Sequence, residues 1–146
     1  MTNDLLARID RLERHDLARS MATTYAVTVD EGKAERIAAL FAPEGTLTIP
    51  SGTLTGRAEI AAFYASRVAD ADRRHFVTNI ATHATGSDAR IGLSAYFLYT
   101  SREPGRSALG WGRYDDVIDT SGESPLLLAK TITPAVFTDL DEGWAS

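Results

Sequence analysis

Apolar residues recur at helical spacing through the first third of the chain and give way to strand-like alternation in the second half. Leu5, Ile9 and Leu12, with Asp and Arg between them, predict an amphipathic helix. The apolar face continues through Leu17, Ala18, Met21, Ala22, Tyr25, Ala26 and Val29. Glu31-Gly32 ends that helix, and Ala34 to Phe41 predicts a short second one, closed before Pro43. Thr46-Leu47-Thr48-Ile49 and Thr53-Leu54-Thr55 alternate about Pro50-Ser51-Gly52, a hairpin pattern. Gly56 can cap a third helix, Arg57 to about Arg67, with Ile60, Phe63 and Tyr64 on its inner face. Asp70 to Arg74 reads as a polar connection. Four strands follow: His75–His83, Ala89–Thr100, Leu109–Thr120 and Leu126–Thr138. Turn signals separate them at Gly86-Ser87-Asp88, Arg102–Arg106 and Thr120–Glu123. Pro134 marks a bend or an edge position, and Asp139 to Ser146 reads as a loose tail. Helices first and strands afterwards predict an α+β domain. A curved, largely antiparallel sheet around the helices would form a cone with an open mouth, where ligands prefer to bind.

The bulk numbers narrow the function. The 146 residues suit one domain with a real core, so a single domain over 1–146 is expected. With 44% hydrophobic residues, neither disorder nor a fibrous state fits. A net charge of −5 and the lack of a basic cluster argue against nucleic acid and anionic membranes as partners. No window approaches a membrane span and no signal-type run opens the chain, so a soluble, cytoplasmic protein is expected. The absence of cysteine excludes disulfides, thiolate chemistry and Cys-bound zinc.

Two titratable residues stand in unusual places. Asp30 extends the Ala22–Ala26 edge of the apolar stripe, where an acid is costly unless paired. His75 opens a strand, and in period-two geometry it shares a face with Val77 and Asn79. An apolar face with a polar residue at both ends reads as a pocket wall. If both side chains entered one cavity, the carboxylate would orient the imidazole and raise its basicity, giving a two-residue general base. The bland alternatives are a helix-end carboxylate bonded to backbone or arginine, and a core histidine with a satisfied hydrogen bond. No nucleophile elbow, phosphate loop or metal-type histidine spacing is present, so no cofactor is expected. The substrate is then a small organic molecule handled by side chains alone. Gly110-Trp111-Gly112 reads as close packing within a strand.

Four segments, in order, carry a resemblance. They are Tyr25 to Gly32, Ala38 to Gly45, Leu54 to Ile60, and His75 to Asn79 followed later by Gly112-Arg113-Tyr114-Asp115-Asp116. Together they resemble the SnoaL-like family of the nuclear-transport-factor-2-like superfamily, over roughly Leu5 to Thr138. The members compared are scytalone dehydratase, bile-acid dehydratase and hexachlorocyclohexane dehydrochlorinase. The resemblance implies an oligomeric α+β cone around an apolar pocket, and enzymes that remove a proton with a His–Asp pair and then eliminate water or chloride. It places Asp30 at the helix carboxylate, His75 at the strand histidine, Tyr25 at a dehydratase tyrosine and Lys130 near a last-strand basic residue. That residue is usually arginine, and lysine lacks its bidentate fork. A second dehydratase tyrosine would fall near Ile49.

The expected function is a cofactor-independent lyase or isomerase acting on a mostly apolar, ring-containing substrate. His75 and Asp30 form the base, and Tyr25 or Lys130 steadies a departing or developing oxyanion. Phe41, Ile49, Phe63, Tyr96 and Trp111, with Asn79, are the expected pocket walls. Tyr25 can equally be core, and Lys130 can equally pair with Asp116 or Asp30. Two alternatives stand beside this: a non-catalytic binding protein or small subunit, and an epoxide hydrolase or cyclase using Arg113 and Asp115. The latter pair is otherwise an outer-face ion pair. His83 and His15 are expected at the surface. An exposed sheet face predicts a homodimer or homotrimer, with Leu5–Leu12 reaching toward a neighbour.

Overall fold

The computed structural model describes residues 2–67 and 72–140. Two helices come first, α1 (Thr2–Glu31) and α2 (Ala34–Ala39). A hairpin, β1 (Phe41–Ile49) and β2 (Gly52–Thr55), leads to α3 (Gly56–Ala65). Four long strands follow: β3 (Asp72–Ser87), β4 (Arg90–Glu103), β5 (Arg106–Asp119) and β6 (Leu126–Asp139). The sheet order is β2-β1-β6-β5-β4-β3. Neighbours are antiparallel except β1 and β6, which run parallel, so the sheet is mixed. It curves around α1, which packs on β3 and β4, while α3 closes against β1 and α2. The architecture is an α+β cone. No helix of the described residues is long and apolar enough to cross a membrane.

Both apolar stripes at the N-terminus belong to one helix, which Gly32 ends at φ 71°. Ala18, Met21, Ala22, Tyr25, Ala26 and Val29 are buried, whereas Leu5, Leu6, Ile9 and Leu12 project beyond the sheet and stay uncovered. The second helix is shorter than its sequence predicts. Leu40 caps it, and Phe41 pairs with Leu127 to open β1 instead. Asp72 to Arg74 join β3 rather than a connection; Asp70 and Ala71 of that expected connection lie outside the described residues. The expected Arg102–Arg106 loop shrinks to a tight turn with Gly105 at φ 73°, so that Glu103 pairs with Arg106. Asp139 pairs with Ala108 and closes β6, while the rest of the expected tail, 141–146, lies outside the described residues.

Of the register shifts in the sheet, two in the strands that carry the site fall at Asn79 and Pro134. Asn79 adopts φ 54° where the β3–β4 register shifts, a conformation Asn tolerates better than most residues. Pro134 faces Gly112 at a register shift between β5 and β6. The β1 pairing reaches only Thr131, so the missing N–H of Pro134 costs no ladder bond on that side. The closed end is filled by Ile37, Phe41, Leu47, Ile60, Leu93, Ile118 and Leu127, all fully buried. Burial of each such side chain contributes about 1.5–3 kcal/mol. The sealed end therefore stabilises the fold, and the open end holds a cavity.

Candidate active site

Asp30 sits in the last turn of α1 and His75 near the start of β3, so the packing of that helix on that strand sets their approach. His75 Nδ1 lies 2.6 Å from Asp30 Oδ1, and the His75 backbone N–H donates to Asp30 Oδ2 at 3.0 Å. A carboxylate can only accept, so the contact needs the proton on Nδ1, and in the neutral imidazole Nε2 then presents its lone pair. The two side chains are 12% and 15% exposed, dry enough for the contact to matter and open enough for a ligand to reach.

His75 lines a cavity of about 470 Å³ at the open end of the cone. One wall is a cross-strand row, His75, Tyr99, Gly110 and Phe137. The His75 and Tyr99 rings lie 4.9 Å apart, and Tyr99 and Phe137 stack at 6.1 Å across Gly110. Gly110 has no side chain to fill that gap; a Cβ there would come within 2.9 Å of the Phe137 ring. The facing wall is Phe63, Tyr64 and Arg67, from α3 and the turn after it.

The floor is made of buried phenols. The Tyr25 and Tyr64 hydroxyls hydrogen-bond to each other, and Tyr114 packs edge-on against Tyr25 at 5.9 Å. Burial pushes all three phenols above their ordinary range, most strongly for Tyr25 and Tyr114, so they stay protonated. Behind this floor lies Lys130, fully buried, 3.7 Å from the Tyr114 ring centroid and 4.1 Å from that of Tyr25. Its Nζ donates to both Asp116 oxygens, at 2.9 and 3.2 Å. Burial pulls the Lys130 ammonium down and pushes the Asp116 carboxyl up, and their mutual attraction opposes both shifts.

His75, Tyr25 and Phe63 thus line one cavity, with Asp30 behind His75, and the other expected residues lie elsewhere. Lys130 does not line the cavity, because two tyrosine rings stand between; of its alternatives, the Asp116 pair is the one formed. Phe41 is core. Ile49, at the end of β1, packs against the core without reaching the lining. Asn79 is exposed, because the bulge breaks the two-residue period, and Ile80 packs inward in its stead. Tyr96 and Trp111 are 56% and 45% exposed on the outer face of the sheet. Arg113 and Asp115 pair there as well, at 2.7 Å, so an inward-facing acid–base role for them is excluded. His15, expected to be solvated, is half-buried with Nδ1 2.8 Å from Thr82 Oγ1. His83 is exposed, its ring over Gly92.

Tyr64, Tyr99, Tyr114 and Phe137 are among the lining residues that sequence reasoning missed. A parity signal for them exists in β5, where Gly110, Gly112, Tyr114, Asp116 and Ile118 are buried and Trp111 and Arg113 exposed. None exists in Ala95-Tyr96-Phe97-Leu98-Tyr99, which is apolar on both faces. Among the described residues, no cluster of three or more His, Asp or Glu is placed to hold a metal ion.

A mixed sheet curled around a long helix into an open cone is the nuclear-transport-factor-2-like architecture. Residues 10–123 match the SnoaL-like domain family, and the chain belongs to it. Solved structures with the same fold include a type 2 hexachlorocyclohexane dehydrochlorinase, at 17% identity and a TM-score of 0.82, with 93% of this chain and 95% of that one covered. A protein from Novosphingobium aromaticivorans, provisionally named a scytalone dehydratase, is 19% identical at a TM-score of 0.74, covering 96% and 92%. The beta subunit of a provisionally named aromatic-ring-hydroxylating dioxygenase from the same organism is 15% identical at 0.71, covering 83% and 88%. No protein of curated function matches the sequence.

Proposed function

We propose that the chain is a cofactor-independent lyase or isomerase in which His75 removes a proton from a carbon of a ring-containing substrate. The observation that carries this reading is the 2.6 Å contact between His75 Nδ1 and Asp30 Oδ1 at the wall of an aromatic cavity. Nε2 takes the proton, and the C–H electron pair becomes the new C=C bond as the leaving group departs with its own pair. Asp30 holds the reactive tautomer and steadies the imidazolium. A base positioned in this way typically contributes 10²–10⁴-fold. The Tyr25–Tyr64 pair supplies the opposite pole. Two phenols own two O–H groups and share one hydrogen bond, and among the described residues neither hydroxyl has a second partner. One O–H is therefore left for a substrate or leaving-group oxygen. The dehydratase and dehydrochlorinase among the structural relatives support the same class of reaction.

The test uses cyclic compounds with a leaving group next to an acidic C–H, incubated in heavy water and followed by mass spectrometry. Elimination or deuterium uptake is expected for the wild type and is lost in His75→Ala and Asp30→Asn, with folding checked by circular dichroism. Full turnover by both folded variants would remove the dyad from the mechanism.

A second reading, a binding protein or small subunit, draws support from the dioxygenase beta subunit with this fold. It predicts that the wild type binds ring compounds in this cavity with neither elimination nor deuterium uptake. Phe76, Leu98 and Trp111 form an exposed cross-strand row on the outer face of the sheet, beside Tyr96. That row supports a homo-oligomer joined through this face.

A further inference from the structure

Among the described residues, the charged side chains at the mouth of the His75 cavity differ in how they are paired. Four charged side chains rim it: Arg67 and Arg73 by the helical wall and β3, Glu103 and Arg106 at the β4–β5 turn. Arg106 is already held. Its Nε and Nη2 donate to Asp139 Oδ1 at 2.9 and 2.8 Å, and Glu103 is its cross-strand partner. Two carboxylates against one guanidinium leave that side without spare positive charge. On the other side, Arg73 is buried and its Nη2 donates to the Arg67 carbonyl at 3.2 Å.

Arg67 differs from both. Among the described residues, no carboxylate lies within ion-pair distance of it. Its guanidinium lies over the Phe63 ring, 4.5 Å from the centroid. Phe63 is itself a cavity wall, so the stack holds the exposed guanidinium at the cavity mouth. The stacked face is occupied, but among the described residues nothing bonds the N–H fork along the guanidinium edge, and that fork matches an oxyanion in two-point geometry. The charge reaches the floor too, where it opposes the upward push of burial on the Tyr64 phenol.

We propose that the ligand of this cavity is an anion: an apolar ring bearing a carboxylate, sulfate or phosphate, with the ring between Phe63 and His75 and the anionic group on Arg67. The inference rests on this cavity being the substrate site, but it does not depend on proton abstraction. It restricts the substrate from ring compounds at large to acidic ones, and it orients them with the charged end at the mouth.

Two fluorescent probes with one ring system separate the outcomes: anilinonaphthalene sulfonate, an anion, and phenylnaphthylamine, its neutral counterpart. The wild type is expected to bind the sulfonate about tenfold more tightly, as one two-point charge-assisted contact at the mouth provides. Arg67→Gln should remove that preference without weakening the neutral probe, and Arg67→Lys should restore part of it. Added salt should weaken the sulfonate alone. The inference is overturned if the probes bind equally, if neither binds, or if Arg67→Gln weakens both alike. His75→Ala should keep the preference, so a failed charge test and a failed dyad test are read separately.

Discussion

Removing the ammonium of Lys130 should destabilise the fold severely, and removing Asp116 as well should restore most of the loss. Both side chains are essentially inaccessible, at 0% and 1% exposure, and Lys130 Nζ gives two hydrogen bonds to one carboxylate. Lys130→Met keeps the length of the chain and its contact with the Tyr25 and Tyr114 rings but leaves an uncompensated buried carboxylate. Such single losses typically cost about 3–5 kcal/mol, whereas replacing both members by apolar groups is often neutral. For a chain of this size that is a fall in Tm on the order of 10 °C. The Lys130→Met/Asp116→Leu double variant should lie within about 1–2 kcal/mol of wild type. The pH dependence follows from the raised carboxyl. Burial lifts Asp116 above its ordinary 3.8, and Lys130 opposes that lift, so the single variant raises it further. A carboxyl whose folded value exceeds its unfolded value gives stability that is complete below the unfolded value and lost as pH rises through the folded one. The defect of Lys130→Met should therefore be large at neutral pH and shrink as pH falls toward 3.8. Urea unfolding followed by circular dichroism at several pH values measures it. A single variant as stable as wild type at pH 7, or a double variant worse than the single, would refute the argument.

Other outcomes test separate parts of the structure. Tyr64→Phe leaves one phenol on the cavity floor in place of a shared pair; stability should fall by about 1–2 kcal/mol, and turnover of a substrate with an oxygen leaving group should fall further than that of one losing chloride. Gly112→Ala would set a Cβ 2.3 Å from the Thr133 carbonyl and 2.8 Å from the Phe97 ring, so a loss of about 1–3 kcal/mol is expected in thermal unfolding. Trp111→Glu puts charge into the exposed apolar row of the outer face; sedimentation should show a smaller species if copies join there, with probe binding in the cavity unchanged.

The helices and the strand meander were legible because their periods and stop signals agree. Glu31-Gly32 ends one helix and the Gly105 turn reverses the chain, and both act through local backbone chemistry that sequence displays. The misses were of another kind. Phe41 looks like the last apolar residue of a helix, yet a partner far away in the chain, Leu127, draws it into a strand. Asn79 breaks the alternation that began at His75, and a single bulge turns every later side chain over. Tyr96 and Trp111 read as pocket walls by residue type alone, yet the hollow they line is on the outer face of the sheet. Trp111 faces outward, and the glycines on either side occupy the inward positions, where Phe97 and Phe137 need the space. Arg67 gave no signal at all, since its distinction is the stack on Phe63 with no carboxylate partner among the described residues, and such contacts are a tertiary property.

The position of Asp30 makes its amide variant a sharper probe than any deletion. A carboxylate in the last turn of a helix faces carbonyl ends of like sign, a cost of about 0.3–1 kcal/mol, and α1 has no basic residue in that turn. Two N–H groups of His75, one from the backbone and one from the ring, offset that cost. An asparagine at the same place can still accept from the backbone N–H, so the tie between helix and strand survives. Its amide N–H₂ would then face Nδ1, which must give up its proton to accept. The imidazole proton moves to Nε2, the atom that has to be empty to act as a base. The fold, the cavity and the probe preference set by Arg67 should all persist while proton abstraction stops. Nitrogen NMR of the His75 ring reports the tautomer directly. If Asp30→Asn leaves the proton on Nδ1, the carboxylate does not choose the tautomer, and its tie to His75 serves only to fasten the end of α1 to β3.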